Sequence, residues 1–438
     1  MEAAERDRFV DLLRGGSIVA VVVGHWLIAD VRWSDGQLVD TSTLAEVPEM
    51  WPLTWAFLVI PLFFFVGGYS NLRSWAGTLR RGEGYAAFVD RRLHRMLAPT
   101  VVYLAVVCSF GVVAAALGGL ALGGLGGVLL QSLWFLGAYL WVVALAPVTL
   151  AAHRRWGGRA LLVLGALVVL GDVGRFGFGI GLAGYLNVLW VWLLMHQLGF
   201  WYAEGRLTRT IAGWMAGVGF AATAVLVAFD PYPGTMVAVP GVSYGNMHPP
   251  TVAVATLGIA QIGTCLLLRA PLQRWLARPR VWRSVIAVNL TIITIFLWHQ
   301  AALTLAARIL LPLGWPDPVP GSMPWWLTRF ASLLVPGLLL AGFVVLFGRA
   351  EQVRAPRAIR AGRDTASAAA LAVALVGIGF LDLAGSSALA LLRPGEKLGP
   401  FTATAILGLA LVAVGAAIFA AMRRHAPART LVGPAAAT

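Results

Sequence analysis

Apolar blocks, each long enough to cross a lipid bilayer, follow one another along the whole chain with short connections between them. A transmembrane helix needs about 20 predominantly apolar residues, and the sequence offers twelve blocks of roughly that length. Of the 438 residues, 59% are hydrophobic and only 12% are charged, whereas soluble domains carry about 25% charged residues. The pattern therefore predicts an all-α, polytopic integral membrane protein and excludes a soluble or disordered chain.

The twelve blocks predict twelve transmembrane helices near residues 8–30, 52–72, 96–117, 127–151, 159–176, 182–203, 211–229, 250–269, 284–311, 325–347, 367–391 and 401–422. An arginine-rich stretch at 349–363 separates the last two from the first ten. We therefore divide the chain into a ten-helix membrane domain, 1–348, and a C-terminal region, 349–438. The second region comprises a cytoplasmic linker, two further helices and a short tail.

The net charge of +14 is interpreted as a topology signal. If the N-terminus is cytoplasmic, 27 of the 33 basic residues fall in segments on the inner side and six on the outer side. Positive charge accumulates in cytoplasmic connections, so the sequence predicts a multi-pass cell-membrane protein with both termini in the cytoplasm. Because the arginines lie between apolar blocks instead of along one soluble face, nucleic-acid binding is not predicted.

Two patterns imitate motifs of soluble enzymes in an unsuitable context. Gly241-Val-Ser243-Tyr-Gly245 matches the nucleophile elbow, which requires a strand–turn–helix, but it is predicted to lie in an outer loop. Gly179-Ile-Gly181-Leu-Ala-Gly184 matches a dinucleotide fingerprint without a βαβ unit around it. Both are interpreted as connections between helices. The histidine and cysteine spacings contain no zinc motif, and no metal site is predicted.

The first predicted helix carries ionisable residues, which are costly inside a bilayer and therefore indicate function. Arg14 and His25 are eleven residues apart, which places them on one helix face and about 16 Å apart along its axis. Asp11 lies one turn before Arg14 on the same face. Such a stripe suits an anionic ligand and a proton transfer. The alternative is an Asp11–Arg14 pair at the helix start, with Arg14 reaching the inner surface.

Other histidines divide between the two sides of the predicted membrane. His299 is expected in the outer half of the ninth span, and His248 at the mouth of the eighth. Together with His25 they are candidates for one outer vestibule. Three more histidines lie in arginine-rich inner segments and are predicted to be solvated: His94, His153 and His425.

At these residues the chain resembles acyltransferase family 3, a family of integral membrane acyltransferases. Arg8-Phe-Val-Asp11-Leu-Leu-Arg14, followed by Val21-Val-Val-Gly-His25-Trp26, resembles the family's first-helix arginine and histidine. Pro61-Leu-Phe-Phe-Phe-Val-Gly-Gly-Tyr69 resembles its second-helix glycine motif, and Arg92-Leu-His-Arg95 its paired-arginine element. The resemblance covers roughly residues 6–348.

The resemblance implies an O-acyltransferase that modifies carbohydrates or other molecules of the cell envelope. It would move an acyl group, expected to be acetyl, from cytoplasmic acyl-CoA to a hydroxyl of a glycan, glycolipid or secreted metabolite. Acyl-CoA would be a co-substrate, and no bound cofactor is expected. His25 is expected to be the general base, Arg14 and Asp11 to order the donor, and His299 to stabilise the oxyanion or orient the acceptor.

Two further residue sets follow from the same resemblance. The expected contacts of the acyl-CoA phosphates are the arginines of the inner surface, namely Arg73, Arg91, Arg92 and Arg95. The candidates for the acceptor site are His248, Trp134 and Tyr69.

A second class of function stays open at this point. A transporter or flippase for an anionic or lipid-linked substrate would use the same stripe as a pathway and would form no covalent product. Such proteins often contain inverted repeats with matching broken helices, and the sequence shows no such repeat. The predicted partners are acyl-CoA, a hydroxyl-bearing acceptor and membrane lipids.

Overall fold

The computed structural model describes residues 7–34, 37–116, 125–242, 244–316, 318–352, 359, 362–386, 397–398, 401–402 and 405–424. Ser243, His425, part of the predicted arginine-rich stretch 349–363 and the predicted C-terminal tail lie outside this described part.

Helices make up nearly all of the described chain. In order they are α1 (Arg8–Ile28), α2 (Thr43–Glu46), α3 (Leu53–Phe57), α4 (Ile60–Arg80), α5 (Tyr85–Ala116), α6 (Leu125–Gln131), α7 (Leu133–Trp156), α8 (Gly158–Asp172), α9 (Gly181–Ala203), α10 (Arg209–Val227), α11 (Val252–Leu267), α12 (Arg269–Leu276), α13 (Pro279–Leu290), α14 (Ile292–Leu310), α15 (Met323–Ser332), α16 (Leu334–Phe347), α17 (Arg363–Ala384) and α18 (Ala405–Arg424).

The strands form two small antiparallel hairpins, β1 (Ala29–Ser34) with β2 (Gln37–Ser42) and β3 (Lys397–Leu398) with β4 (Phe401–Thr402). In the first hairpin, Ala29 at the end of α1 lies opposite Ser42.

Ten helical stretches of the described residues are long and apolar enough to cross a membrane. The bent pair α11–α12, with 58° between its helices, would make an eleventh. The helix α9 coincides with the sixth predicted span and has 23 residues, but it is not among these ten. The chain is thus a multi-pass helical membrane protein, as predicted, whereas the count of twelve spans stays a prediction.

Successive long helices run between two ends of the bundle. At one end the start of α1 meets the end of α9, where the Tyr202 hydroxyl donates to the Asp7 carboxylate over 2.7 Å. The end of α18 meets α5 there, since Arg423 is paired with Asp90. We call this end the arginine end. The opposite end carries the β1–β2 hairpin and the loop 228–251.

Helices α4 and α9 cross at two glycines. A Cβ atom on Gly68 would overlap the carbonyl oxygen of His196, and one on Gly199 would overlap the carbonyl oxygen of Phe65. The glycine motif of the second predicted span therefore lets two backbones touch. Its close approach also brings the Asn71 amide within 3.1 Å of the His196 imidazole.

The last two long helices pack into the same hydrophobic core as the first ten predicted spans. Val376 and Phe380 of α17 are fully buried in this core. Gly377 lies so close to Trp141 of α7 that a Cβ atom there would overlap the indole ring. At the arginine end, Arg423 of α18 donates from Nη2 to the Asp90 carboxylate of α5 over 2.5 Å. The C-terminal helices are therefore joined to the membrane domain by apolar packing and by an ion pair.

We expect Arg423→Ala to destabilise the fold. The Asp90 side chain is 3% exposed, so its carboxylate would be left buried without its cation. Since 23% of the Arg423 side chain is exposed, we discount the cost of a fully buried pair and expect a loss of about 2 kcal/mol. Thermal unfolding in detergent measures this, with the exposed neighbour Arg424→Ala as the matched control. Equal midpoints for the two variants would contradict the prediction.

Candidate active site

One face of α1 joins the arginine end to the opposite end of the bundle. Asp7 caps the start of the helix, and its carboxylate accepts from the backbone amides of Phe9 and Val10. Arg14 then donates to the Ser70 hydroxyl of α4 over 2.5 Å. Farther along, Ile18, Val21 and His25 line a cavity. The spacing from Arg14 through Ile18 and Val21 to His25 is that of a single helical face.

Asp11 and Arg14 form the i,i+3 pair that the sequence offered as an alternative. The Arg14 guanidinium lies 3.6 Å from the Asp11 carboxylate, whose side chain is 8% exposed. The backbone carbonyl of Asp11 accepts from the Asn289 amide of α13 over 2.9 Å. Because Arg14 also bonds Ser70, the pair fixes the guanidinium between α1 and α4.

His25 and His299 form a hydrogen-bonded pair between α1 and α14. Nδ1 of His25 lies 2.8 Å from Nε2 of His299. Nδ1 of His299 lies 2.5 Å from the carbonyl oxygen of Phe296, and the indole of Trp26 donates to the carbonyl of His299 over 3.0 Å. His299 is completely buried, and both of its ring nitrogens have a hydrogen-bond partner. His25 lines the cavity, and its second ring nitrogen is not engaged by His299.

These contacts determine the proton positions of the neutral pair. A carbonyl oxygen only accepts, so Nδ1 of His299 carries the proton and its Nε2 is the acceptor. Nδ1 of His25 must then donate to that nitrogen, which leaves Nε2 of His25 with an unprotonated lone pair. The pair therefore turns His25 into a base of one defined tautomer.

The cavity beside His25 has a volume of about 280 Å³. It is bounded by residues of α1, α4, α6, α7 and α14 and is covered by parts of the β1–β2 hairpin and the loop 228–251. Most of its lining is aliphatic or aromatic, and among the described residues no Asp, Glu, Lys or Arg lines it. Its polar lining residues are His25, Ser42, Gln131, Ser132, His248, Gln300 and Thr304.

His248 reaches this cavity because its loop is pinned at both ends. The Asp172 carboxylate accepts from the Tyr232 hydroxyl over 2.9 Å and from the Val252 amide over 2.7 Å. His248 packs edge-on against Trp134, with ring centroids 5.5 Å apart. His25, His248 and Trp134 thus border one cavity, whereas His299 lies behind His25 and does not line it.

Tyr69 lies elsewhere. Its ring packs against Tyr202, with centroids 5.6 Å apart, and the Arg73 guanidinium lies 4.8 Å from its centroid. These contacts are at the arginine end, and Tyr69 is not among the residues that line the cavity. The structure therefore separates Tyr69 from the other two candidates for the acceptor site.

The predicted phosphate-binding arginines differ in what already engages them. Arg91 donates to Glu83 and to Thr78, each over 2.6 Å. Partial burial raises the pKa of Glu83, but hydrogen bonds from Arg81 and Arg91 outweigh it and hold that pKa below its ordinary value. Glu83 therefore stays charged, and the Arg91 guanidinium is already engaged within the protein.

Arg92 is also engaged, since it donates to the Asn71 amide oxygen over 3.0 Å. Arg73 and Arg95 are exposed and make no hydrogen bond to the described residues. Of the four predicted arginines, these two therefore keep their N–H groups available to a ligand.

Sequence reasoning gave no role to Gln300, although it is a polar residue in an apolar helix. It is 8% exposed and lines the cavity. Its side-chain oxygen is buried and has no hydrogen-bond partner within the described residues. A buried acceptor of this kind is costly unless a ligand satisfies it, and its place directly after His299 was the available signal.

His153 corrects one expectation. It was predicted to be solvated, but it is 3% exposed. Its Nε2 lies 3.1 Å from the Glu204 carboxylate, and its Nδ1 lies 2.8 Å from the Gln197 amide. Arg154 and Arg155, which follow it, are exposed, whereas His153 lies on the face of α7 that packs against α9. The charge composition of the segment does not indicate this difference.

The fold and the site define a multi-pass helical membrane protein with a histidine pair beside a largely apolar cavity. The sequence model of the acyltransferase domain of acyltransferase family 3 matches residues 7–348, more than half of the chain. The chain therefore belongs to acyltransferase family 3 and is a membrane acyltransferase, which confirms the resemblance noted in the sequence. No curated protein and no solved structure matches it.

Proposed function

We propose that this protein transfers an acyl group, with acetyl as the first choice, from acyl-CoA to a hydroxyl of an acceptor bound in the cavity. The observation that carries the proposal is the His25–His299 pair, which leaves one imidazole lone pair at a cavity inside an acyltransferase domain. The acceptor class is a glycan, a glycolipid or a secreted metabolite.

His25 acts as the general base in this proposal. The acceptor hydroxyl gives its proton to Nε2 of His25 while its oxygen attacks the thioester carbon. The tetrahedral intermediate then collapses, the carbon–sulfur bond breaks, and the leaving thiolate takes the proton back from His25. During the step the imidazolium keeps its Nδ1–H bond to His299.

His299 is a positioning residue for His25. Its two ring nitrogens are already engaged by His25 and by Phe296, so it has no N–H left to offer an oxyanion at the cavity. Gln300 and His248 are two of the other polar residues that line the cavity, and in this proposal they hold the thioester carbonyl or orient the acceptor.

The donor enters from the arginine end in this proposal, and that end faces the cytoplasm. The placement of 27 of the 33 basic residues on one side of the predicted topology supports it. Pantetheine is long and thin, so it can follow α1 from Arg14 past Ile18 and Val21 to His25. Asp11 and Ser70 hold the Arg14 guanidinium at the start of that path.

The proposal is tested by acetyl transfer with detergent-purified protein. Acetyl-CoA is supplied with a mixed pool of glycans, glycolipids and small secreted alcohols, and both CoA release and acetylated product are measured. Product formation that requires His25 supports the proposal. Vesicle uptake of an anionic or lipid-linked substrate without acetylated product would support the transporter function instead.

We expect His299→Phe to lower kcat while leaving acetyl-CoA affinity unchanged. Phenylalanine keeps the ring volume but removes the acceptor that holds the Nδ1–H tautomer of His25. The expected loss is about 10- to 100-fold, the range for removing a group that orients a metal-bound histidine, together with an altered pH profile of kcat. His299→Gln, which retains a hydrogen-bond acceptor, is expected to lose less activity. An unchanged kcat for His299→Phe would show that His25 needs no orienting partner.

A further inference from the structure

Two tyrosines and two arginines form a cluster at the arginine end. The rings of Tyr69 on α4 and Tyr202 on α9 have their centroids 5.6 Å apart. The guanidinium of Arg73 lies 4.8 Å from the Tyr69 centroid, and that of Arg269 lies 5.3 Å from the Tyr202 centroid. Each tyrosine ring of the pair is thus in contact with one arginine guanidinium.

The two guanidinium groups keep their hydrogen-bond donors available. Arg73 is exposed, and 45% of the Arg269 side chain is exposed. Neither makes a hydrogen bond to the described residues, in contrast to Arg91 and Arg92. A guanidinium stacked on an aromatic ring retains the N–H edge that binds phosphate in a bidentate manner.

The nearby Asp7 carboxylate accepts hydrogen bonds from groups other than Arg73 and Arg269. One oxygen of Asp7 accepts from the first amides of α1, and the other accepts from the Tyr202 hydroxyl. Arg269 lies 3.7 Å from this carboxylate, which is an ion pair beyond hydrogen-bond distance. Asp11 is paired with Arg14. The carboxylates therefore anchor the tyrosine pair and Arg14 and leave an excess of positive charge.

Arg269 reaches this place through the break between α11 and α12. The two helix axes differ by 58°, and Arg269 is the first residue of α12. Its guanidinium is carried back over the start of α1, where it lies 5.9 Å from the Phe9 ring. Pro271, which lacks a backbone N–H, suits the first turn of a helix that starts anew at this break.

We propose that Arg73 and Arg269, on the two sides of the Tyr69–Tyr202 pair, bind the nucleotide end of the acyl-CoA donor. This inference rests on the proposed function. Coenzyme A carries several phosphates at its nucleotide end, and these match the N–H edges of the two exposed guanidinium groups. The site lies next to Arg14, one helical turn before the cavity lining begins at Ile18. In this proposal Tyr69 belongs to the donor site instead of the acceptor site, and Arg269 and Tyr202 belong to the donor site as well.

Titration calorimetry of coenzyme A, dephospho-coenzyme A and pantetheine with detergent-purified protein tests the site. Arg269→Ala is expected to weaken coenzyme A binding at least tenfold and to leave pantetheine binding unchanged. Arg269→Lys is expected to fall between it and wild type, because lysine keeps the charge but not the bidentate fork. The matched control is Arg274→Ala, which removes an exposed arginine of the same short helix.

The possible results separate the two proposals. Wild-type protein that binds no coenzyme A would contradict the proposed donor and therefore the proposed function. If wild-type protein binds coenzyme A and Arg269→Ala binds it equally well, the proposed site is overturned but the proposed function is not. Arg269 would then be interpreted as a charge that faces lipid headgroups. Equal weakening by Arg269→Ala and Arg274→Ala would also overturn the site, because only general charge would matter.

Discussion

Replacing His25 with alanine is expected to lower kcat for acyl transfer by roughly 10²- to 10⁴-fold, the usual contribution of a positioned general base. The effect should appear in kcat and hardly in acetyl-CoA affinity, because the proposed phosphate contacts lie at the arginine end. The measurement is the initial rate of CoA release with the mixed acceptor pool and saturating acetyl-CoA, paired with a direct binding titration of acetyl-CoA.

Val19→Ala is the matched control for His25→Ala. Val19 belongs to the same helix, and its side chain is 47% exposed on the outer surface of the bundle. Its replacement should leave kcat within about twofold of wild type, because surface changes away from such a site have small effects. Normal acyl transfer by His25→Ala would show that another group removes the acceptor proton.

The common face of Arg14 and His25 was predictable from the sequence because both residues lie on one helix. The eleven-residue spacing of Arg14 and His25 sets their common face by geometry alone. The contact between His25 and His299, 274 residues apart, was not predictable in the same way. Counting the predicted spans places both residues in the outer half of the membrane. The residue spacing within one helix does not indicate which other helix packs against it.

The roles of the arginines show a second limit of sequence reasoning. Arg73 and Arg91 both lie in arginine-rich segments next to an apolar span, and composition does not distinguish them. In the structure Arg91 is engaged by Glu83 and Thr78, whereas Arg73 lies over Tyr69 with its N–H groups available. From the sequence, Arg269 was counted only as a topology charge. The 58° break between α11 and α12 brings it over the start of α1, and the hydropathy pattern alone does not indicate this bend.

The structure gives a physical reason for the glycine motif of α4, which the sequence analysis identified only by its resemblance to the family. From the sequence, Gly67 and Gly68 matched a family pattern whose purpose was open. In the structure Gly68 allows α4 to touch the backbone of α9. That contact fixes the position of Ser70, which holds Arg14, and of Asn71, which holds Arg92. The motif therefore serves the site through helix packing.

Gly68→Ala is accordingly expected to cause the largest loss of stability, about 3 kcal/mol or more, because the new methyl group would overlap the rigid backbone carbonyl of His196. The matched control is Gly77→Ala in the same helix, where a Cβ atom would meet only Arg81 and Arg80 side chains at 3.5 and 3.7 Å. Thermal unfolding and the yield of folded protein in detergent measure both variants. Since alanine favours helices over glycine by about 1 kcal/mol, Gly77→Ala should be neutral or stabilising, and equal behaviour of the two variants would disprove the close α4–α9 crossing.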